Sequence, residues 1–311
     1  MTSHARAVYN HKRSLLRLFD TGTVPLDVAK VVVCGNYGIG KTTLIKTLET
    51  SRHRRQIFQP KDRPDKPSER TAGIHVSEFQ LRHSKRTKTT TPITLRVFDF
   101  GGLPAFHVIH TLLVLDWTAA FVVCVDLSKS NEELRQSLWY WLRFIATRVK
   151  QSRETLFASE LQDDNVMDKR PRVILVGTKA DKCHASHGLN TKDGSTRRLA
   201  GCIHNAVSAF SSVLNVVTSE SLIALNCFRS WDSGFEALHQ QLRDHAAAIK
   251  GLQLVVPRIV SEVSTALGTV RKETVLPMSV DEVLVRERAL ISTLVGIEDR
   301  LSPDLFRTAL R

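Results

Sequence analysis

The sequence predicts an α/β fold built on a mostly parallel, six-stranded sheet with helices on both faces. Short apolar runs rich in β-branched residues alternate along the chain with segments of helical periodicity, as in a parallel sheet covered on both sides. Polar turns bound these runs. The predicted strands are residues 30–34, 75–81, 93–98, 119–127, 172–177 and 222–225, with the second and third forming an antiparallel edge pair.

The clearest elements are the longest apolar run and the helix that follows it. Residues 119–127, AAFVVCVDL, are typical of a central parallel strand that is buried on both faces. Residues 131–149 repeat apolar side chains at helical spacing behind Asn131, which we expect to cap the helix. In this helix, Trp139 and Trp141 are predicted to pack against the sheet. Further helices are predicted from residue 43 to residue 50 and at residues 197–214 and 234–249.

The composition favours a folded protein of the cytoplasm. With 42% hydrophobic content, 311 residues can form one large domain or two ordinary ones. No apolar run reaches membrane-spanning length, and the start, MTSHARAVYNHKRS, lacks the apolar core of a signal peptide. The five cysteines are scattered and odd in number, which fits reduced thiols better than a disulfide framework.

The chain is strongly basic, with a net charge of +13 from 44 basic and 31 acidic residues. Much of the excess lies between residues 52 and 88, and the two phenylalanines there, Phe58 and Phe79, are not interleaved with the charges as a base-stacking surface requires. We therefore expect a solvated basic loop, centred on residues 52–66, and no specific binding to nucleic acid. Weak contact with an anionic membrane or an acidic partner stays open as the alternative.

One stretch carries a phosphate-binding motif. Residues 35–42, GNYGIGKT, lie between a predicted strand and a predicted helix and fill the pattern G-x-x-x-x-G-K-[ST]; we call them the phosphate loop. Tight turns at the glycines point backbone N–H groups inward, which forms an anion site. Lys41 is expected to contact the β- and γ-phosphates, and the Thr42 hydroxyl to bind Mg²⁺. The predicted phosphate-binding residues here are Gly35, Asn36, Gly38, Ile39, Gly40, Lys41, Thr42 and Thr43.

Four further stretches follow in a fixed order: RTAGI from residue 70, FDFGG from residue 98, GTKAD from residue 177 and the weaker ALNC from residue 224. Together with the phosphate loop they resemble the motifs of the Ras-like P-loop GTPases, and in detail the Roc (Ras of complex proteins) domain of the Roco family. The resemblance covers residues 29–250. It implies a Ras-like fold, GTP or GDP as the bound nucleotide, Mg²⁺ as its cation and a regulatory role in signalling.

By this resemblance, two stretches sense the γ-phosphate. Thr71 is the switch I threonine, whose hydroxyl reaches Mg²⁺, and Asp99 holds Mg²⁺ through water. The backbone N–H of Gly102 contacts the γ-phosphate. Because both sets of contacts vanish on hydrolysis, both segments can relax, which is the physical basis of a switch.

The resemblance also assigns the guanine-binding residues Thr178, Lys179, Asp181, Asn226 and Cys227. The carboxylate of Asp181 can accept two hydrogen bonds from the N1–H and N2–H₂ groups of guanine, a pair of donors that adenine lacks. Leaving that carboxylate unpaired would cost about 1–3 kcal/mol or more, enough for tens-fold discrimination. Lys179 is expected to lie along the base with its stem.

The sequence departs from the family pattern at the position that usually orients the attacking water. Small GTPases place a glutamine after D-x-x-G, but here Leu103 stands there and can neither donate nor accept a hydrogen bond. His107 is nearby, although a packing or surface role is favoured for it, so no catalytic residue is assigned. The chain is therefore either a switch with slow GTP hydrolysis or a scaffold that holds nucleotide without hydrolysing it. An ATP-preferring NTPase is a third reading, which Asp181 opposes.

Two other features bear on ligands and partners. Cys183, His184 and His187 could ligate zinc, but no fourth ligand lies near them in the sequence, so a metal site there is disfavoured.

After the Roc-like region, helical patterns resemble the beginning of the COR module that follows Roc in the Roco family. We expect a linker or upstream element at 1–28, a Roc-like domain at 29–250 and a truncated, helical COR-like tail at 251–311. Protein partners, and a homodimer through COR in a longer chain, are implied by the resemblance.

Overall fold

The computed structural model describes residues 17–20, 22–50, 74–81, 93–102, 118–157, 170–183, 189–190, 195–196, 200–217, 222–229 and 232–262. The chain divides into two compact units. One spans Asp27–Gly251, and the other consists of Met1–Leu26 and Leu252–Arg311. The predicted site residues all lie in the first unit.

Strands and helices alternate through the first unit, as the sequence predicts. Its strands are β2 Val28–Cys34, β3 Ile74–Leu81, β4 Ile93–Phe100, β5 Ala120–Asp126, β6 Arg172–Thr178, β7 Leu189–Asn190, β8 Ser195–Thr196, β9 Asn215–Val216 and β10 Ile223–Ala224. Its helices are α1 Lys41–Thr50, α2 Asn131–Phe157, α3 Ala200–Phe210 and α4 Ser233–Gly251, with a short 3₁₀-helix at Ala180–Lys182. The strand that precedes them, β1 Thr23–Pro25, and the strand that follows them, β11 Val255–Pro257, belong to the second unit.

The main sheet has the strand order β10-β6-β5-β2-β4-β3. All neighbours are parallel except β3 and β4, which form the predicted antiparallel pair. Within the described residues the sheet holds seven strands rather than six, because two short strands, β9 and β10, share the position beside β6. Asn215 of β9 lies opposite Arg172 at the start of β6, and Ile223 of β10 lies opposite Val176 near its end. The predicted Ras-like fold with a mostly parallel sheet is confirmed.

Helices cover both faces of this sheet, because successive residues of each strand point to opposite sides. All seven residues of β5 are buried, which explains its continuous apolar sequence. One face packs against α2 and α3, with the core residues Val32, Phe121, Val123, Leu138, Trp141 and Ile203. The other packs against α1 and α4, with the core residues Val31, Val33, Leu44, Ile174, Phe235 and Leu242.

α2 starts at Asn131, as predicted, but its capping residue differs from the prediction. Ser130, not Asn131, makes the capping contacts: its backbone N–H donates to Glu133 Oε2 over 3.1 Å, and its Oγ accepts from the Glu133 N–H over 3.4 Å. This is the reciprocal arrangement of a capping box. The helix also continues beyond the predicted end at residue 149, to Phe157.

The second unit contains a strand pair where the sequence predicts a linker and a helical tail. β1 and β11 are antiparallel, with Thr23 opposite Pro257 and Pro25 opposite Val255. Residues 255–257 of the predicted helical tail therefore form a strand instead, since two adjacent valines favour a strand once a partner strand is present. Helical residues follow at 258–262, and residues 263–311 lie outside the described part. Among the residues described, no helix has both the length and the apolar character needed to cross a membrane.

Candidate functional site

The phosphate loop connects the carboxyl end of β2 to the first turn of α1, the edge at which parallel sheets bind ligands. Two of its glycines are required for different reasons. Gly38 has φ +74°, which side chains rarely adopt, and nothing lies within 4 Å of the place where its Cβ would be. A Cβ on Gly35 would lie 2.6 Å from the Cys124 carbonyl oxygen of β5. The loop is therefore seated tightly at its start and open in its middle.

Lys41 lies inside this loop and is only 6% exposed. Its Nζ donates hydrogen bonds to the carbonyl oxygens of Gly35 and Asn36, each over 2.9 Å. Burial lowers the pKa of Lys41, and the negative charge of Asp99 opposes part of that effect. The side chain thus presents a positive charge at the floor of the loop.

Thr42 and Asp99 meet beside Lys41. The Thr42 hydroxyl donates to Asp99 Oδ2 over 2.5 Å, and Asp99 is 1% exposed. The parallel register of β2 and β4 brings them together, because Asp99 lies opposite Val33 near the end of β2. A hydroxyl and a carboxylate are the hard oxygen donors that Mg²⁺ prefers, so these residues fit that cation. Elsewhere, the described residues contain no group of three or more His, Cys, Asp or Glu that could hold a metal ion.

Gly102 brings the segment after β4 against the phosphate loop. A Cβ at this position would lie 2.6 Å from the Tyr37 backbone nitrogen and 2.7 Å from the Asn36 carbonyl oxygen. Only glycine fits such an approach without moving one of the two backbones. Two predicted phosphate-binding segments are therefore in contact, while Thr71, Leu103 and His107 lie outside the described residues.

A contact from α2 supports the same loop, and sequence reasoning missed it. Trp141 is fully buried, as predicted for a packing residue, but its Nε1–H also donates to Asn36 Oδ1 over 3.0 Å. Indole N–H groups are usually hydrogen-bonded when buried, which is the signal that could have pointed to this role. Thr43, also predicted to bind phosphate, is half-buried in the first turn of α1, and its carbonyl accepts from the Thr47 hydroxyl.

The predicted base side of the site is built around residues 178–181, which we call the TKAD loop. Thr178 ends β6 and is fully buried. Its Oγ1 lies 2.6 Å from the Ile39 carbonyl oxygen of the phosphate loop and 3.1 Å from the Val125 carbonyl oxygen of β5. The hydroxyl therefore joins the TKAD loop to the phosphate loop.

The next two polar residues of the TKAD loop are more exposed. Lys179 has the left-handed backbone angles φ 57° and ψ 41°, and its Nζ donates to Asp126 Oδ2 over 2.6 Å. Asp181 follows on the 3₁₀-helix and is exposed. Asp126 was not singled out by sequence reasoning, although an acidic residue at the carboxyl end of a buried strand is a recognisable signal.

Asn226 and Cys227 follow β10, and Cys227 lies beside α1 and the phosphate loop. The Asn226 side-chain oxygen accepts from the Phe228 N–H over 2.9 Å, so it shapes its own turn. The Cys227 carbonyl accepts from the Thr47 hydroxyl of α1 over 2.6 Å, and a Cβ on Gly40 would be 3.7 Å from the Cys227 sulfur. Burial raises the pKa of the Cys227 thiol, which keeps it protonated.

The TKAD loop and residues 225–227 are joined directly. The Ala180 N–H donates to the Leu225 carbonyl oxygen over 3.2 Å, and the Leu225 N–H donates to the Gly177 carbonyl oxygen over 2.9 Å. The tertiary structure thus collects the phosphate loop, the end of β4, the TKAD loop and residues 225–227 at one edge of the sheet.

Comparison with known proteins gives one family match. Residues 30–163 match the sequence model of one protein family, which is described as "Ras of Complex, Roc, domain of DAPkinase". Among curated proteins, the chain is similar to the probable serine/threonine-protein kinase pats1 of Dictyostelium discoideum, with 25% identity over 147 residues, covering 44% of this chain and 4% of that protein. It is also similar to cyclic GMP-binding protein C of the same organism, with 21% identity over 267 residues, covering 85% of this chain and 9% of that protein.

Among solved structures, the chain is similar to Methanosarcina barkeri Roco2 RocCORdC bound to GDP, with 19% identity and a TM-score of 0.48. The match covers 79% of this chain and 57% of that one. The chain therefore spans only a small part of the two curated relatives and about half of this structure.

The matched residues 30–163 begin in β2 and include the phosphate loop, Asp99 and Gly102. These are the residues that meet at one edge of a sheet with the predicted Ras-like topology. The chain therefore contains a Roc domain, at residues 30–163.

Proposed function

We propose that this chain binds guanine nucleotide and acts as a regulatory switch, with weak intrinsic hydrolysis of GTP. One observation carries the proposal: the Thr178 hydroxyl lies 2.6 Å from the Ile39 carbonyl oxygen. That contact joins a phosphate-binding loop to a loop with the residue types that read guanine, so one nucleotide can span both. The Roc match supports the same reading.

At the phosphate end, the buried Lys41 and the backbone N–H groups of the phosphate loop would neutralise the β- and γ-phosphates. Thr42 would ligate Mg²⁺ directly and Asp99 would hold it through water, with Thr71 completing the set in the GTP state. The cation supplies charge stabilisation between the β- and γ-phosphates when it is bound. Gly102 lies against the phosphate loop. Its N–H would contact the γ-phosphate of GTP and would lose that contact in the GDP state.

At the base end, Asp181 is the residue that would select guanine. Its carboxylate is exposed at the edge of the sheet and can accept both guanine donors. Asn226 and Cys227 would close the other side of the base through their backbone, since the Asn226 side chain is already used in its own turn.

Leu103 supports slow turnover, because a leucine cannot orient the attacking water. The same residue favours the second candidate, a scaffold that holds nucleotide without hydrolysing it. An ATP-preferring NTPase is the least supported reading, since adenine offers Asp181 no pair of donors.

The domain boundaries, the protein partners and the cellular location of the chain are also proposals. We propose that the nucleotide-binding domain extends over residues 29–250 and that residues 251–311 begin a COR-like module, through which a longer chain would form homodimers and reach protein partners. Among the described residues, Cys34, Cys124, Cys183 and Cys227 form no disulfide, which supports a reducing, cytoplasmic setting.

Equilibrium binding of labelled GTP, GDP and ATP, with and without Mg²⁺, tests the nucleotide assignment. We expect guanine nucleotides to bind at least about tenfold more tightly than ATP, the factor that corresponds to 1.4 kcal/mol, and GTP to need Mg²⁺. Equal or better binding of ATP would refute the assignment of Asp181.

Single-turnover and multiple-turnover measurements of GTP hydrolysis separate the switch from the scaffold. Slow but repeated turnover is expected for the switch. Undetectable single-turnover hydrolysis, even with the rest of a COR module restored, would favour the scaffold.

A further inference from the structure

The most informative contact outside the recognised motifs is the ion pair between Asp126 and Lys179. Asp126 is the last residue of β5 and lies opposite Thr178 in the parallel register of β5 and β6. Asp126 is 8% exposed, and its Oδ2 accepts a hydrogen bond from Lys179 Nζ over 2.6 Å. The pair therefore joins the end of one strand to the loop that leaves its neighbour.

The two oxygens of Asp126 have separate partners. Oδ1 accepts from the Ser128 N–H over 2.9 Å and from its hydroxyl over 2.6 Å, while Oδ2 faces Lys179. Burial raises the pKa of Asp126, but the hydrogen bonds from Lys179 and Ser128 outweigh it and hold that pKa below its ordinary value. The carboxylate is thus charged at neutral pH and available to hold the ammonium group.

The partner of Asp126 has an unusual backbone. Lys179 is one of two described residues other than glycine with positive φ, and it stands at the start of the 3₁₀-helix Ala180–Lys182 that carries Asp181. The left-handed region is unfavourable for a lysine, and such conformations persist only where the surroundings enforce them. The hydrogen bond to Asp126 fixes the far end of the same residue, so it supports the turn that sets the direction of Asp181.

We propose that Asp126 is a positioning residue that determines guanine specificity: by holding Lys179 Nζ, it fixes the turn that presents Asp181 to the base and keeps the lysine stem extended beside the base. This inference rests on the proposed function, because it assumes that guanine nucleotide occupies this edge of the sheet. It adds a residue from β5, at a position that none of the recognised nucleotide motifs includes.

A purely structural role makes a different prediction. If Asp126 only closes the turn at residues 126–128, removing the Ser128 hydroxyl should have the same consequences as changing Asp126. If Asp126 acts through Lys179, the two residues should depend on each other in nucleotide binding, while Ser128 should matter little.

The test compares Asp126→Asn, Lys179→Met, the double variant and Ser128→Ala in the full chain. Asparagine keeps the shape and the oxygen that faces Ser128, and methionine keeps an unbranched stem without the ammonium. Glu236→Gln is the matched control, since it weakens the Glu236–Arg243 pair on α4, away from this edge. Release of labelled GDP and the GDP-to-ADP affinity ratio are measured for each, together with competition by pyrophosphate, which reports the phosphate loop alone.

We expect each single change of the pair to speed GDP release about tenfold and to narrow the GDP-to-ADP ratio by a similar factor, as loss of a charge-assisted hydrogen bond implies. The double variant should be no worse than the more affected single variant, and competition by pyrophosphate should be unchanged in all of them. Ser128→Ala and Glu236→Gln should stay within about twofold of the parent chain, as substitutions away from such contacts usually do.

The inference would be overturned by unchanged GDP release in Asp126→Asn, by additive effects in the double variant, or by an equal effect of Ser128→Ala. Equal loss of pyrophosphate and GDP binding in Asp126→Asn would also overturn it, because that indicates general loss of the fold. These failures are distinguishable from failure of the proposed function, in which the parent chain itself shows no preference for GDP over ADP.

Discussion

The phosphate end and the base end of the site are built in different ways. The phosphate end is one continuous loop, residues 35–42, whose main charged group, Lys41, is 6% exposed and bonded to backbone carbonyls of the same loop. The proposed base end combines Asp126, residues 178–181 and residues 225–227, and Asp181, the carboxylate proposed to select guanine, is exposed. The Roc match at residues 30–163 includes the whole phosphate loop and leaves Thr178, Asp181 and Asn226 outside it.

This difference teaches that a phosphate site can be formed by consecutive residues, whereas a base site needs residues that lie far apart in the sequence. A phosphate needs N–H groups and a positive charge, and a short glycine-rich loop supplies both locally. A base needs a shaped slot and an oriented acceptor, and here several strand ends must meet to form them. We therefore expect one substitution in the phosphate loop to abolish most phosphate binding. Base recognition should weaken when any of the contacts that join its segments is removed.

The largest effect is expected at Lys41. Lys41→Met removes the charge from the phosphate loop while leaving an unbranched stem of similar length. We expect GDP and GTP affinity to fall by about 10²- to 10³-fold, since removing one partner of a buried charge pair costs 2–5 kcal/mol. Isothermal titration calorimetry would measure the affinities. The control is Lys46→Met, which changes an exposed lysine of the same helix. Unchanged affinity would mean that phosphates bind elsewhere.

The next largest effect is expected at Asp181, and it should be selective. Asp181→Asn removes the double acceptor for guanine, so GDP affinity should fall by about ten- to a hundredfold, corresponding to 1–3 kcal/mol, whereas binding of pyrophosphate should not change. Competition assays with GDP, IDP and pyrophosphate measure both. Asp244→Asn, an exposed aspartate of α4, is the matched control. A guanine preference that survives in Asp181→Asn would place base recognition in other residues.

The smallest effect is expected from the contact that joins the two ends. Thr178→Val keeps the side-chain volume but removes the hydroxyl shared by the Ile39 and Val125 carbonyl oxygens. We expect the free energy of unfolding without nucleotide to fall by about 1–2 kcal/mol, because buried acceptors lose their donor. Urea denaturation measures this, and GDP affinity should fall in parallel.

The exposed residue Thr147 provides the control for this prediction. Its hydroxyl bonds only to carbonyl oxygens of its own helix among the contacts of the described chain, at Arg143 and Phe144. Thr147→Val should therefore change the free energy of unfolding by less than about 0.5 kcal/mol. Equal effects of the two valine variants would show that the bond between the loops adds no stability.

Much of the fold was predictable, because its signals are local. The alternation of apolar runs and helical stretches predicted a mostly parallel sheet with β5 as a central strand, and the predicted antiparallel pair of β3 and β4 is also confirmed. α2 starts at Asn131 as predicted, but its cap is Ser130, which forms a capping box with Glu133. β9 was missed because two residues are too few to show a period, and β11 because its strand partner lies 230 residues away in the chain.

By itself, the sequence determined the elements that form through contacts between neighbours: the phosphate loop, the buried strand β5 and the helix α2. Only the tertiary structure decided that Thr178 bonds to Ile39, that Trp141 supports Asn36 and that Asp126 holds Lys179. The physical reason is that a hydrogen bond depends on position in space, and residues 53 to 139 apart in the chain meet only when the parallel strands bring their ends to one edge.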